Sequence, residues 1–364
     1  MKIQEIIQEI EAFAPLSYQE SYDNVGLLVG DAALNCSGVL FSLDCTEAVI
    51  DEAIEKKCNL IVSHHPVIFS GLKKINGKNF VERTVLKAIK NDVALYACHT
   101  NIDNVIEGVN AKIAEKLNLE KINVLNGKSG TLKKLVTYVP STHHQTLLNA
   151  LFEAGAGHIG NYSQCSFNLE GKGTFKGGNN SNPFIGKANT LSIEPEIRIE
   201  TIFSAYQQSS ILATLMANHP YEEVAYDIYG LENKHARIGS GAIAELKEAC
   251  SEIEFLEQLK GKFGIKTLKH SPFLGKKLKK VAICGGSGKF LMHDAIKAGA
   301  NVFITGDLKY HDYFEADGKI LLVDMGHYES EQFTPEIFYS IITNKFATFA
   351  VHLSKVNTNP VNYF

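Results

Sequence analysis

Asn59-Leu60-Ile61-Val62-Ser63-His64-His65-Pro66 reads as a short apolar strand that ends in two histidines and a proline. An uninterrupted apolar run of this length suits a strand covered on both faces. Upstream, Val39-Leu40-Phe41-Ser42-Leu43 is a second buried strand, closed by Asp44. Thr46 can then cap a helix to about Lys57, with Val49, Ile50, Ala53 and Ile54 on one face. Downstream, Phe80, Val81, Val85, Leu86 and Ile89 have helical spacing and lead into a third strand, Val93–Cys98. This βαβαβ rhythm predicts parallel strands joined by right-handed crossovers.

The last third repeats the rhythm. Lys280–Cys284, Val302–Thr305 and Ile320–Asp324 read as strands and Lys289–Ala298 as a helix. A further helix begins near Glu329 and carries Phe333, Ile337, Phe338 and Ile341. The middle differs: strand Leu135–Pro140, helix Gln145–Ala154, a hairpin-like alternation over Tyr162–Phe175, strand Glu196–Phe203, helix Ser210–Asn218 and strand Glu223–Tyr229. That order, βαββαβ, suggests a ferredoxin-like unit. Neither flanking segment looks complete alone. The fold class expected is therefore α/β: two similar α/β halves forming one domain over residues 1–128 and 239–364, interrupted by an α+β insert over 129–238.

At 364 residues the chain suffices for two or three domains of ~100–200 residues. Its 36 Lys and Arg against 40 Asp and Glu leave a net charge of −4, which offers no general attraction to nucleic acid or anionic membrane. No apolar stretch approaches the ~18 residues of a spanning helix. The N-terminus, Met1-Lys2-Ile3-Gln4-Glu5-Ile6-Ile7-Gln8-Glu9-Ile10, places acids in an amphipathic helix and lacks a signal-peptide core. Cysteines at 36, 45, 58, 98, 165, 250 and 284 form no CxxC pair and no disulfide framework, which fits a reducing cytoplasm.

In an open parallel sheet, ligands collect beyond the carboxyl ends of the strands. The unusual side chains sit there: Asp44; His64 and His65; His99 and Asp103; Asp307 and His311; Asp324, His327 and Glu331. His327 and Glu331 are spaced i, i+4 at a helix start and so share a face. Adjacent histidines on a strand end diverge, so His64 and His65 suit two neighbouring metals better than one. With Asp103 the set is five ligands of mixed nitrogen and oxygen, which suits Zn²⁺, Fe²⁺, Mn²⁺ or Ni²⁺. Singly, each has a plain structural reading as a turn or a helix cap; their joint placement favours a metal site. Gly155-Ala156-Gly157-His158-Ile159-Gly160 fits G-x-G-x-x-G but follows a helix, so it reads as a turn. Cys284-Gly285-Gly286-Ser287-Gly288-Lys289 lacks the first glycine and the Ser/Thr of a P-loop, and leaves a backbone nest for an anion as an open alternative. His143-His144 reads as solvated surface.

Ser21-Tyr22-Asp23-Asn24-Val25-Gly26-Leu27, Ser63-His64-His65-Pro66, His99-Thr100-Asn101-Ile102-Asp103 and Asp324-Met325-Gly326-His327-Tyr328-Glu329-Ser330-Glu331 resemble the signatures of the NIF-three-like proteins. These are also labelled GTP cyclohydrolase I type 2 homologues, or dinuclear-metal-centre hexameric proteins. The middle, with Phe152-Glu153-Ala154-Gly155-Ala156-Gly157-His158-Ile159-Gly160-Asn161-Tyr162 and His219-Pro220-Tyr221-Glu222-Glu223-Val224-Ala225-Tyr226, is similar to the PII/CutA-like insert of the longer bacterial members. The resemblance implies two divalent metal ions per subunit on His64, His65, Asp103, His327 and Glu331, in a toroidal homohexamer. Glu331 would bridge, with His64 and Asp103 on one metal and His65 and His327 on the other.

The function expected is that of a metal-dependent hydrolase acting on a nucleotide or related small molecule. His99 or His311 would move protons, and Asp44, Asp307 and Asp324 would orient ligand imidazoles from behind. The alternative is a non-catalytic metal-binding regulatory or chaperone protein whose PII-like insert senses a small molecule. Nucleic acid threaded through a ring is disfavoured by the acidic balance.

Overall fold

Val39–Ser42, Leu60–Ser63 and Ala94–Ala97 are buried at every position, the pattern of strands with cover on both faces. They lie at the heart of a computed structural model that describes residues 1–363. In chain order the strands are β1 Gly26–Val29, β2 Val39–Ser42, β3 Leu60–Ser63, β4 Ala94–Ala97, β5 Leu119–Gly127, β6 Leu132–Pro140, β7 Ser166–Phe175, β8 Ser192–Ser204, β9 Tyr226–Leu231, β10 Gly239–Cys250, β11 Lys269–His270, β12 Leu278–Ser287, β13 Val302–Gly306, β14 Leu321–Asp324 and β15 Val351–Leu353. Two units emerge: Met1–Gly127 with the chain from Arg237 onward, and Lys128–Ala236. Among the described residues no helix is long and apolar enough to cross a membrane.

The first unit holds two sheets, ordered β1-β4-β3-β2-β15 and β11-β14-β13-β12-β10-β5. In each, three consecutive strands pair in parallel, β2-β3-β4 and β12-β13-β14. In each, the strand that comes just before them in the chain pairs antiparallel with the third. The two α/β halves are thus alike in topology, as expected. Each also borrows a strand. β15, from the end of the chain, joins β2, and β5, from the first half, reaches the second sheet through β10.

Some expectations fail on local grounds. The long antiparallel strands β5 and β10 escape sequence reading because β5 has a single fully buried position and the alternation in β10 spans only its first half. The helix expected from Glu329 onward is two helices, His327–Glu331 and Thr334–Lys345. The second starts with proline at its N-terminus, where the missing N–H costs nothing. The hairpin expected over Tyr162–Phe175 is one strand, β7, whose partner is β8. Period-two alternation marks a strand without naming its neighbour.

The second unit has the sheet order β7-β8-β6-β9 with antiparallel neighbours. Helices His144–Glu153 and Gln208–Asn218 cover one face, packing Leu147, Leu151, Ile211 and Leu215 on Leu135, Val139, Ile199 and Phe203.

Candidate metal centre

His64 and His65 continue the backbone of β3 past its end. Their N–H groups donate to Ser42 O (3.2 Å) and Leu43 O (3.0 Å), so the parallel pairing aims both side chains before the chain turns at Pro66. His64 Nδ1 lies 3.0 Å from the Cys98 carbonyl oxygen. A carbonyl only accepts, so Nδ1 carries the proton and Nε2 presents its lone pair. His65 Nδ1 is 2.7 Å from Asp44 Oδ1, and His327 Nδ1 is 2.7 Å from Asp307 Oδ2. Carboxylates or carbonyls behind each ring are the usual means of fixing a metal-ligating tautomer.

The three Nε2 atoms converge on Glu331, which is buried. His64 Nε2 is 3.6 Å from Oε1, whereas His65 Nε2 and His327 Nε2 are 3.0 and 3.1 Å from Oε2. Asp103 Oδ1 is 3.7 Å from His64 Nε2. Two donor groups therefore share one carboxylate: His64, Asp103 and Glu331, and His65, His327 and Glu331. A third grouping brings His99 to His64 and His65. His64 Nε2 and Asp103 Oδ1 are buried without a hydrogen-bond partner. Buried lone pairs facing one another are costly unless something positive lies between them. The donor set thus has the chemistry to hold a metal ion. The nearby thiols of Cys98 and Cys284 do not join it, because burial pushes both up and keeps them protonated.

The electrostatics point the same way. Burial disfavours a charged His65, but the Asp44 and Glu331 carboxylates outweigh it and push the imidazole up to about 9. Asp307 and Glu331 similarly overcome burial at His327 and raise it to about 11. Burial and the Glu331 charge lift Asp103; Glu331 itself is held low against burial by the surrounding imidazoles. In the metal-free protein, protons occupy the place a cation would take. Metal loading at neutral pH should release protons, and apparent affinity should climb with pH by up to about tenfold per unit for each proton displaced. Calorimetry in buffers of different ionisation enthalpy counts those protons; a count of zero at pH 7 contradicts the assignment. The same raised values stabilise the metal-free fold fully below about 6.5, and that contribution is lost as pH rises through 9 and beyond.

Two expected residues lie elsewhere. Asp324 touches no ligand imidazole. It is buried, accepts from Leu308 N (3.2 Å) and Gly326 N (3.0 Å), and pairs with Lys269 Nζ (2.5 Å), which ties down the loops carrying Asp307 and His327. His311 sits exposed before the short helix Asp312–Glu315, its ring against Tyr310 (5.2 Å) and Phe314. The anion nest is also filled: the N–H groups of Gly285, Gly286 and Gly288 donate to Asn110 Oδ1, Ser330 Oγ and Thr305 Oγ1.

Sequence reading missed three contributors. Asp23 accepts from His99 Nδ1 (2.8 Å) and from Thr100, and despite burial these bonds hold its carboxyl well below the usual range. Thr358 donates to Asp44 Oδ2 (2.5 Å), so the C-terminal tail steadies the carboxylate behind His65. Gly286 gives Glu331 its space. Asp23 stands in a quoted motif and could have been found; the other two depend on chain segments brought together by folding. Removing a carboxylate behind a ligand should tell: Asp44→Ala is expected to weaken cation binding by about 10–100-fold, measured by competition with a chromophoric chelator.

His65, His99 and His327 line a cavity of about 690 Å³ that also takes in Phe69, Tyr328 and the tail residue Tyr363. Asp103 and Glu331 face a smaller one of about 190 Å³, which His99 and His327 line as well.

A family model described as Duf34/NIF3 (NGG1p interacting factor 3) matches residues 1–360. A protein of Halalkalibacterium halodurans named GTP cyclohydrolase 1 type 2 homolog is 41% identical, with 99% of this chain and 98% of that one aligned. One of the same name from Bacillus subtilis is 39% identical over the same shares. Among solved structures, a Bacillus cereus protein related to NIF3 superposes with a TM-score of 0.87 at 36% identity, covering 100% of this chain and 99% of that one.

Proposed function

This chain belongs to the Duf34/NIF3 family, and on that premise we propose that it is a dinuclear-metal hydrolase acting on a nucleotide or related small molecule. The observation that carries the reading is the shared carboxylate: Glu331 turns Oε1 toward His64 and Oε2 toward His65 and His327. His64 and Asp103 would hold one cation, His65 and His327 the other, and Glu331 both. When bound, such a pair supplies Lewis acidity, lowering the pKa of water toward neutrality and polarising an oxygen of the substrate.

The chain's own residues do the rest. Asp44, Asp307 and the Cys98 carbonyl hold the three rings in the ligating tautomer. Asp23 fixes His99 by Nδ1, which leaves Nε2 to hold or move a proton at the edge of both cavities. Phe69, against the His99 ring at 6.4 Å, and Tyr328 and Tyr363 give the larger cavity apolar walls on which a planar substrate can lie. The homohexamer expected from the resemblance is part of the proposal, and light scattering on the purified protein tests it.

The relatives' printed name makes GTP the first substrate to try. Protein reconstituted with Mn²⁺, Fe²⁺ or Zn²⁺ is offered GTP and other nucleotides, and products are followed by chromatography. His99→Gln should retain the metal content and lose turnover by about 10²–10⁴-fold. Unchanged substrates under every metal end the hydrolase reading and favour a non-catalytic metal-binding regulator.

A further inference from the structure

His219-Pro220-Tyr221-Glu222 takes no part in the metal centre. It lies in the second unit, where Tyr221 and Glu222 line a separate cavity of about 610 Å³. Ile197 and Ile199 of β8 pack toward the helices, so Glu196 and Arg198 point to the opposite face, which this cavity occupies. Lys176, Gly177, Ser181, Pro183 and Phe184, from the connection between β7 and β8, line it as well. Asn189 N–H donates to Gly177 O (2.7 Å), and Asn182 N–H donates to Glu222 Oε1 (2.9 Å). Connections of this length within a compact unit are uncommon and often functional.

Aromatic rings form the walls. Tyr221 lies 5.8 Å from Phe175 and 6.5 Å from Phe184, centroid to centroid. Tyr221 is held from behind: its N–H donates to His219 Nδ1 (3.1 Å), so His219 Nε2 carries the proton and donates to Tyr138 O (2.9 Å). His143, expected to be solvated, instead packs edge-on against Phe184 at 5.3 Å.

Two polar side chains, Glu196 and Arg198, line the cavity. The Tyr221 hydroxyl donates to Glu196 Oε1 (2.9 Å). Glu196 Oε2 lies over Gly173, where any Cβ would come within 1.9 Å of it, so only glycine there lets the carboxylate fold down. Arg198, two residues on along the same strand face, has Cζ 6.0 Å from the Tyr138 ring centroid and Nη2 2.8 Å from Glu200 Oε1. The Arg198 side chain is 42% exposed and lines the cavity two residues along from Glu196, so guanidinium donors and a carboxylate acceptor are offered to one ligand edge.

We propose that this cavity is a second small-molecule site, for a planar heterocycle with a lactam edge, a ring carbonyl next to a ring N–H. The ring lies among Phe175, Phe184 and Tyr221, its carbonyl accepts from the exposed part of the Arg198 guanidinium, and its N–H donates to Glu196. Hypoxanthine, guanine and uracil bases carry that edge; adenine does not. The volume is of the size that holds a small ligand. The site uses no residue of the metal centre and stands whether or not cations bind there.

The test is calorimetry on the full-length protein stripped of metal with EDTA, with inosine, uridine, 1-methylinosine and adenosine as probes. Inosine and uridine should bind, and 1-methylinosine and adenosine should bind at least about tenfold more weakly, the loss expected for a missing hydrogen bond. Glu196→Gln, which keeps the shape, and Arg198→Lys should each weaken inosine by about tenfold. Glu331→Gln should leave inosine binding unchanged. Absence of binding by inosine and uridine overturns the proposal. So does equal binding of 1-methylinosine, or binding that survives Glu196→Gln and fails in Glu331→Gln.

Discussion

Glu331→Gln is expected to strip the protein of cations at both positions together. The amide keeps the volume of the carboxylate but turns one acceptor oxygen into a donor and removes the charge shared by the two donor groups. Since each Glu331 oxygen faces a different set of imidazoles, no single cation escapes the change. Loss of a partner behind a ligand costs roughly 10–100-fold in affinity, and loss of the shared ligand should exceed that. The metal-free fold should melt lower than the parent, because the amide keeps the packing but no longer pairs with the His65 and His327 imidazoles. Elemental analysis after dialysis against limiting Zn²⁺, with a thermal melt of the metal-free form, reads both. Equal metal content in variant and parent would mean that Glu331 is not the shared ligand.

Gly286→Ala should come close to that effect without touching a donor atom. Gly286 has φ +60°, and a Cβ there would stand 2.4 Å from Glu331 Oε1 and 3.4 Å from His327 Cε1. The left-handed backbone alone costs a non-glycine residue about 1–2 kcal/mol. The buried Glu331 carboxylate cannot yield into solvent; it must rotate away from the donors it serves. A drop in cation affinity of about a hundredfold is expected, on the scale of lost ligand orientation, together with a lower melting temperature. The control is Gly130→Ala, also at positive φ (+72°) but with nothing within 4 Å of the added Cβ. It should lose stability alone. If both variants bind cations like the parent, Gly286 is not what gives the carboxylate its place.

Part of this was legible in residue order. Near-continuous apolar runs at Val39–Leu43 and Asn59–Ser63 mark buried strands because a strand covered on both faces favours apolar side chains at successive positions. Strand ends collect ligands, so the histidines and carboxylates beyond those runs could be singled out before any geometry. Asp324 and His311 stood at equally good positions, yet one is turned to backbone N–H groups and the other to solvent. Spacing along a chain reports which residues can share a face; it does not report which loop lies opposite.

From residue order alone follow the α/β class, the repeated rhythm of the two halves and the histidines and carboxylates competent to hold cations, since these depend on local periodicity and donor chemistry. Folding decided the rest. β15 and β5 exchange between halves, Thr358 reaches Asp44 from the chain's end, and Gly286 clears room for Glu331. Those contacts join segments remote in sequence, and only close packing in three dimensions specifies such partners.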